Sequence, residues 1–349
     1  MRSILTLLLG VGFGALSLHA AEKPNILFIM ADDLGWMDLR CQGNKAVRTP
    51  HLDRLAEDGM RFTDAYAASP VCSPTRAATI TGLSPARLHL TNHAPDRERF
   101  TPKNPTLLPA PMENQLTLNY VTFAERLKEA GYATAFLGKW HLNGGGDGDP
   151  ALAPDKQGFD INLGGCAYGG PPTFFDPYRI PTLKDRKKGE YLPDRLADET
   201  IAFMEKNRTK PFLACLWSYT VHWPMEAPEA YLKKYKDHQG PGLNDYRYGA
   251  MIEAMDASYG KIFKALDDLA LSKNTLVVFT SDNGGFSGVS DCRPLRMSKG
   301  HLYEGGIRVP FIARWPGVIK PGQLSHEPMK VLGRQHVTFV ELQTVVTET

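Results

Sequence analysis

The chain has 349 residues, of which 42% are hydrophobic and 22% are charged. This composition is typical of a globular protein with a substantial core, and the length fits one large α/β domain or two smaller domains. The formal net charge is only +2 and no long basic run occurs, so no nucleic-acid partner is indicated and any affinity for anions must come from a local site.

The chain begins with a positive charge at Arg2, a mostly apolar run over 4–18 and small residues at Ala20 and Ala21. This order is typical of a secretory signal peptide. A membrane-spanning helix needs about 20 apolar residues, and this run is shorter. We therefore expect residues 1–21 to be a signal peptide. The protein is predicted to be periplasmic or secreted (lysosomal in a eukaryote), without a stable membrane anchor.

Beyond the signal, buried strands and helices are predicted to alternate. Short apolar runs, typical of strands buried on both faces, occur at 25–30, 133–137, 212–219 and 275–280. Helical spacing or helix-start and helix-stop residues mark segments 50–58, 75–80, 121–130 and 251–269. The Gly- and Pro-rich segment 143–185 is predicted to be mostly loop. This alternation is typical of an α/β protein.

Polar residues recur just past the carboxyl ends of the predicted strands, where open α/β sheets place their sites. Asp32 and Asp33 follow the first strand, and Asp282 and Asn283 follow a late one. Carboxylate and amide oxygens suit a hard cation such as calcium or magnesium, not zinc. Alternatively, the two pairs are a helix cap and a turn.

The pentapeptide Cys72-Ser73-Pro74-Thr75-Arg76 resembles the signature C-x-P-x-R of the sulfatase family, and the resemblance extends over 22–328. It implies the alkaline-phosphatase-like α/β sandwich with a largely parallel central sheet. It also implies that a maturation enzyme oxidises Cys72 to formylglycine. One calcium ion is then expected on Asp32, Asp33, Asp282, Asn283 and residue 72.

The resemblance also assigns catalytic roles. Lys139 and Lys299 match the two lysines that grip the sulfate, and Arg76, one helical turn beyond residue 72, matches the arginine that holds the modified side chain. His141 matches the base that releases sulfate from residue 72. His222 matches the acid that protonates the leaving group, and both tasks suit histidine near neutral pH. Lys139, His222 and Lys299 are thus also expected to bind substrate.

Other histidines and several aromatic residues lie outside these motifs. Several histidines are predicted to be structural or exposed, among them His51, His89, His93, His238 and His301. Five aromatic residues suit either a sugar-binding cleft or the core: Trp36, Tyr168, Phe174, Phe175 and Trp223.

The predicted function is hydrolysis of a sulfate ester, in a small molecule or a polysaccharide, to an alcohol and inorganic sulfate. One alternative is a phosphodiesterase or phosphonate monoester hydrolase on the same fold, and another is an inactive remnant that binds sulfated glycans. The tail 329–349 does not resemble the family. We therefore expect the family's smaller C-terminal subdomain to be missing or truncated.

Overall fold

A computed structural model describes residues 23–95, 103–108, 110–238 and 240–330. The predicted signal peptide, 1–21, lies outside the described residues, as does all of the predicted tail after Lys330. Within the described part of the chain, no helix combines the length and the apolar character needed to cross a bilayer.

The described residues form ten strands. They are β1 (Asn25–Ala31), β2 (Met60–Phe62), β3 (Ala65–Tyr66), β4 (Ala133–Gly138), β5 (Ile161–Leu163), β6 (Phe212–Trp217), β7 (Thr275–Ser281), β8 (Phe311–Arg314), β9 (Gln323–Ser325) and β10 (Met329–Lys330). The four strands predicted from apolar runs are confirmed as β1, β4, β6 and β7.

Eight α-helices accompany them in the described residues. They are α1 (Pro50–Glu57), α2 (Cys72–Thr81), α3 (Pro85–Leu88), α4 (Phe123–Glu129), α5 (Leu192–Lys206), α6 (Glu229–Tyr235), α7 (Tyr246–Asp268) and α8 (Glu304–Ile307). The helix predicted over 251–269 begins earlier, because the side chain of Asp245 accepts a hydrogen bond from the Arg247 backbone N–H and caps α7.

Eight strands form one sheet in the order β5-β4-β6-β1-β7-β8-β2-β9. The run from β5 to β7 is parallel, whereas β8 is antiparallel to both β7 and β2. A second, two-stranded sheet pairs β10 with β3. The predicted fold, an α/β architecture with a largely parallel central sheet, is confirmed.

The central strand β1 is buried on both faces. Leu27 and Ile29 contact the core that contains α5 and α7, and Phe28 and Met30 contact the opposite core, which contains α2. This explains why β1 is a continuous apolar run without polar alternation. Since polar side chains find no place along such a strand, they gather where it ends.

The segment 143–185 is mostly loop, as predicted, but it also contains β5 at the sheet edge and two short 3₁₀ turns. β5 has only three residues, all partly exposed, and this is too short for a periodic pattern to show. All five cysteines of the chain carry free thiols.

Candidate active site

The sheet brings four predicted metal ligands together. β1 and β7 are parallel neighbours with Ala31 opposite Ser281, so the residues that follow them emerge side by side. The Asp33 backbone N–H donates to Asp282 Oδ1 at 3.2 Å, and Asn283 Nδ2 donates to Asp33 Oδ1 at 2.8 Å. Asp32, Asp33, Asp282 and Asn283 are all buried.

Cys72 is the first residue of α2 and is fully buried. Arg76, one turn later, points to the same site. Its Nε and Nη2 lie 2.9 and 2.8 Å from Asp282 Oδ2, and its Nη1 donates to the Lys139 carbonyl at 2.6 Å. Arg76 therefore links α2 to the ends of β7 and β4. Burial raises the pKa of the Cys72 thiol despite the nearby lysines, so the unmodified thiol is a poor nucleophile near neutral pH.

Both predicted lysines reach the site. Lys139 Nζ donates to Asp32 Oδ2 at 2.8 Å, and both side chains are fully buried. Lys299 Nζ lies 2.7 Å from Asp33 Oδ2 and 3.7 Å from Cys72 Sγ. Each lysine therefore pairs with one of the two consecutive aspartates.

Gly138 allows Lys139 to enter the site. It has φ +105°, and an added Cβ would lie 2.1 Å from the Trp217 carbonyl oxygen of the adjacent strand β6. A side chain at position 138 would push β4 away from β6. This backbone approach explains why a glycine precedes the lysine.

The two aspartates experience opposite electrostatic environments. Burial raises the pKa of Asp32 well above its usual value, and Asp282 and Asp33 raise it further against the effect of Lys139. Burial also raises the pKa of Asp33, but Lys299, His222 and Lys139 outweigh this effect and hold that pKa well below its usual range. A cation shared by these carboxylates would favour the charged form of each.

The donor set fits a hard divalent cation. Within the described residues, two buried oxygens at this point, Asp32 Oδ1 and Asn283 Oδ1, have no hydrogen-bond partner. Ligand atoms of Asp32, Cys72 and Asp282 lie within 4.8 Å of one another. Buried oxygens without partners are costly unless an ion or a water satisfies them, and oxygen ligands select calcium or magnesium.

His141 lies on the buried side of residue 72. Its Nε2 is 2.5 Å from the Ala94 carbonyl and its Nδ1 is 3.3 Å from Ser73 Oγ. Burial lowers its pKa well below the usual value, and Lys139 and other nearby cationic groups lower it further. The ring is therefore neutral, with Nε2–H donating to Ala94 and Nδ1 accepting from the Ser73 hydroxyl.

His93 lies beside His141 and Cys72, although no sequence motif indicated this position. Its ring packs edge-on against His141 at a centroid distance of 4.6 Å. Ring nitrogens of both histidines and Cys72 Sγ lie within 4.8 Å of one another. The loop after α3 brings His93 back to the start of α2, and no local pattern in the sequence signals that return.

His222 lies on the opposite side of the site and is partly exposed. Its Nε2 is 3.7 Å from Asp33 Oδ2 and its Nδ1 is 2.9 Å from the Trp223 carbonyl. Burial lowers the pKa of His222 to about 4, although Asp33 acts to raise it. In the neutral ring Nδ1–H donates to the Trp223 carbonyl, so the Nε2 atom faces the site.

The site contains equal numbers of acidic and of strongly basic side chains. Three acidic side chains lie opposite three basic ones in this site: Asp32, Asp33, Asp282, Arg76, Lys139 and Lys299. A bound divalent cation would add two positive charges at the buried start of α2. Such a site is suited to binding an anionic ester and to stabilising charge that builds up on its oxygens.

The comparisons with known proteins agree with this geometry. The family model for sulfatases matches residues 24–341. The N-acetylgalactosamine-6-sulfatase of Mus musculus is 36% identical over 344 residues, which cover 90% of this chain and 61% of that protein. Arylsulfatase A of Homo sapiens is 34% identical over 354 residues, which cover 90% of this chain and 63% of that protein. The chain therefore spans less than two thirds of the length of these relatives.

Solved structures show the same architecture. Ps i-CgsB in complex with k-i-k-neocarrahexaose superposes with a TM-score of 0.77 at 30% identity, covering 94% of this chain and 72% of that one. The phosphonate monoester hydrolase of Agrobacterium radiobacter superposes with a TM-score of 0.66 at 20% identity. The second likeness concerns the fold alone.

Proposed function

The chain belongs to the sulfatase family, and from this premise we propose that it hydrolyses a sulfate ester to an alcohol and inorganic sulfate. The observation that carries the proposal is the convergence on Cys72 of Lys299, Arg76 and the carboxylates that follow β1 and β7. The nucleophile is proposed to be residue 72 after oxidation of Cys72 to formylglycine by a maturation enzyme. The hydrated aldehyde supplies one hydroxyl for attack on sulfur and a second for release of the product.

We propose one calcium ion on Asp32, Asp33, Asp282, Asn283 and residue 72. The oxygen donors and the two buried oxygens without hydrogen-bond partners among the described residues support this assignment. The ion supplies positive charge against the sulfate oxygens.

The lysines bind and orient the sulfate group in this proposal. Lys299 Nζ lies 3.7 Å from Cys72 Sγ, so its charge is adjacent to any group that bonds to residue 72. Lys139 is fixed by Asp32 on the buried side and adds a second positive charge there. Arg76, tied to Asp282, fixes the first turn of α2 and with it the position of residue 72.

The two histidines divide the proton transfers. His141 is proposed as the base that withdraws a proton from residue 72, because one of its ring nitrogens lies within 4.8 Å of Cys72 Sγ and the ring is neutral. His222 is proposed as the acid for the leaving oxygen, since its Nε2 faces the open side of the site. An anionic ester bound beside His222 raises its pKa and favours the protonated form that this task needs.

The substrate is proposed to be a sulfated saccharide, because the chain is similar in sequence to an N-acetylgalactosamine-6-sulfatase and similar in fold to a protein solved in complex with its substrate D-glucosamine-2-N,6-O-disulfate. Export is proposed from the predicted signal peptide at 1–21.

Mass spectrometry of the peptide that contains residue 72 tests the nucleophile. In protein made together with a maturation enzyme, this peptide should be about 18 Da lighter than the cysteine form, and sulfate release should rise with the modified fraction. Cys72→Ala protein is the control, because it offers no thiol to oxidise. Full turnover by protein that contains only unmodified Cys72 would contradict the proposal.

Chelation tests the metal. Exhaustive treatment with a chelator should abolish sulfate release, and calcium should restore it. Rates on matched aryl sulfate and aryl phosphate esters decide between a sulfatase and a phosphoester hydrolase. A modified, calcium-loaded protein that binds sulfated glycans without turnover would instead indicate a binding remnant.

A further inference from the structure

An exposed tryptophan lies directly beside the proposed acid. Trp223 follows His222 in the chain, and its carbonyl oxygen is 2.9 Å from His222 Nδ1. The residue is 42% exposed, which leaves part of the indole surface available to a ligand. Because His222 is assigned to the leaving oxygen, Trp223 lies on the side of the site that faces the alcohol part of the ester.

The indole ring is supported by an arginine from α7. The guanidinium carbon of Arg247 lies 5.6 Å from the Trp223 ring centroid, a cation–π distance. Arg247 is fixed by Asp245, which accepts from its Nη2 at 2.6 Å, from its Nε at 3.1 Å and from its backbone N–H at 2.8 Å. Asp245 already neutralises the charge of Arg247. A ligand on the indole of Trp223 is therefore expected to present an uncharged sugar ring there, and not a second anionic group.

The backbone of the same segment is held by a second contact. An added Cβ at Gly170 would lie 2.5 Å from His222 Nδ1 and 2.9 Å from the Trp223 carbonyl oxygen. The loop that contains Gly170 therefore packs directly on these two residues. Contacts from Gly170 and from Arg247 together place Trp223 before any ligand arrives, which reduces the conformational entropy lost on binding.

We propose that Trp223 is a stacking platform for the sugar ring that carries the scissile sulfate, held in position by Arg247. The inference rests on the proposed function and specifies its substrate class: a sulfated pyranose that presents an apolar C–H face to the indole. The platform contributes to binding and specificity, and it takes no part in proton transfer.

Saturation-transfer NMR on Cys72→Ala protein in excess calcium tests the platform without turnover. The probes are N-acetylgalactosamine 6-sulfate and a sulfated galactan hexasaccharide. In the Cys72→Ala parent protein, ring C–H protons of at least one probe should receive saturation. The added substitution Trp223→Ala should weaken binding of that probe about tenfold, whereas Trp223→Phe should retain most of the affinity. Binding of inorganic sulfate should be unchanged in both variants.

Tyr303→Ala is the matched control, because Tyr303 is similarly exposed (44%) and has Arg296 over its ring at 3.8 Å, but follows Lys299 instead of the acid. It should bind as the parent does. In active protein, Trp223→Ala should raise KM about tenfold with little change in kcat, as expected for binding that is uniform in ground and transition states.

Three results overturn the platform: no transfer to either probe in the parent, unchanged binding in Trp223→Ala, or an equal loss in Tyr303→Ala. The proposed function is tested separately, by sulfate release from the modified wild-type chain, so either hypothesis can fail without the other.

Discussion

Residue 72 lies between two aspartate–lysine pairs that differ in burial. On one side, Lys139 and Asp32 are fully buried. On the other side, the Lys299 side chain is 13% exposed and pairs with Asp33, and the neighbouring His222 side chain is 21% exposed. The buried pair extends from strand ends, whereas Lys299 and His222 lie on loops.

The difference in burial indicates that the two aspartate–lysine pairs have different roles within one site. A fully buried ion pair cannot exchange its partner for water, so it fixes geometry and is expensive to disturb. A partly exposed pair can reorganise when an anionic ligand displaces it. We infer that the Lys139 side holds residue 72 and the Lys299 side admits the substrate and releases the alcohol.

The largest expected difference is in stability. Asp32→Ala leaves the Lys139 ammonium buried without its partner and should cost about 3–5 kcal/mol of unfolding free energy. Asp33→Ala should cost less, on the order of 1–2 kcal/mol, because Lys299 can reach water. Both variants should lose sulfate release. Urea unfolding in the presence of a chelator measures the two costs without a contribution from bound metal.

Asp32→Asn is the control for side-chain volume, since it keeps the shape and removes the charge. Equal losses of stability in Asp32→Ala and Asp33→Ala would contradict the division between a buried and an open side.

A smaller but more selective effect is expected at the proposed acid. His222→Ala should slow hydrolysis of esters of sugar alcohols by about 10²–10⁴-fold, because an alkoxide needs a proton to leave. Activated aryl sulfates should lose less than about tenfold, since a phenoxide leaves unaided. Steady-state rates over a series of leaving groups measure the contrast.

His141→Ala is the counterpart on the buried side, and it should slow both ester types similarly because it acts after the leaving group has gone. If His222→Ala lowers the rate on both ester types equally, His222 is not the acid.

The sequence predicted most of the buried side. Asp32, Lys139 and Asp282 follow long apolar strands, and a strand buried on both faces produces an unmistakable run of hydrophobic residues. Because parallel strands of one sheet end at the same edge, the positions of Asp32 and Asp282 after such strands predicted a shared site. Lys139 follows β4, which β6 separates from β1, and its role was predicted from the family resemblance. Arg76 was predictable from a different pattern, because it lies one helical turn after residue 72 and so faces the same site.

The open side was less predictable, because loops bring together residues that share no periodic pattern. Trp223 was one of five aromatic candidates, and the sequence could not separate it from Phe174, which is fully buried. Arg247 and His93 had no local signal, since the rings that they contact, Trp223 and His141, lie far away along the chain. The contacts of Gly170 depend on how a long loop crosses the site.

Two adjacent glycines, Gly169 and Gly170, contact the buried side and the open side of the site, and their substitution is expected to have the smallest effects on rate. An added Cβ at Gly170 would lie 2.5 Å from His222 Nδ1, and one at Gly169 would lie 3.0 Å from His141 Cε1 and 3.2 Å from His93 Nε2. Gly170→Ala must therefore displace His222 or its backbone, whereas Gly169→Ala requires a shift of only a few tenths of an ångström.

A misplacement of about 1 Å at a catalytic group lowers rates by about 10²-fold, so Gly170→Ala should lose about 10- to 100-fold on sugar sulfates and much less on activated aryl sulfates. That dependence on the leaving group separates displacement of His222 from a general loss of stability, which would lower both rates alike. Gly169→Ala should show a smaller loss that is the same for both ester types, because it disturbs the His141 side. If the two variants show the same dependence on the leaving group, the loop does not position the two histidines independently, and the two sides of the site act as one unit.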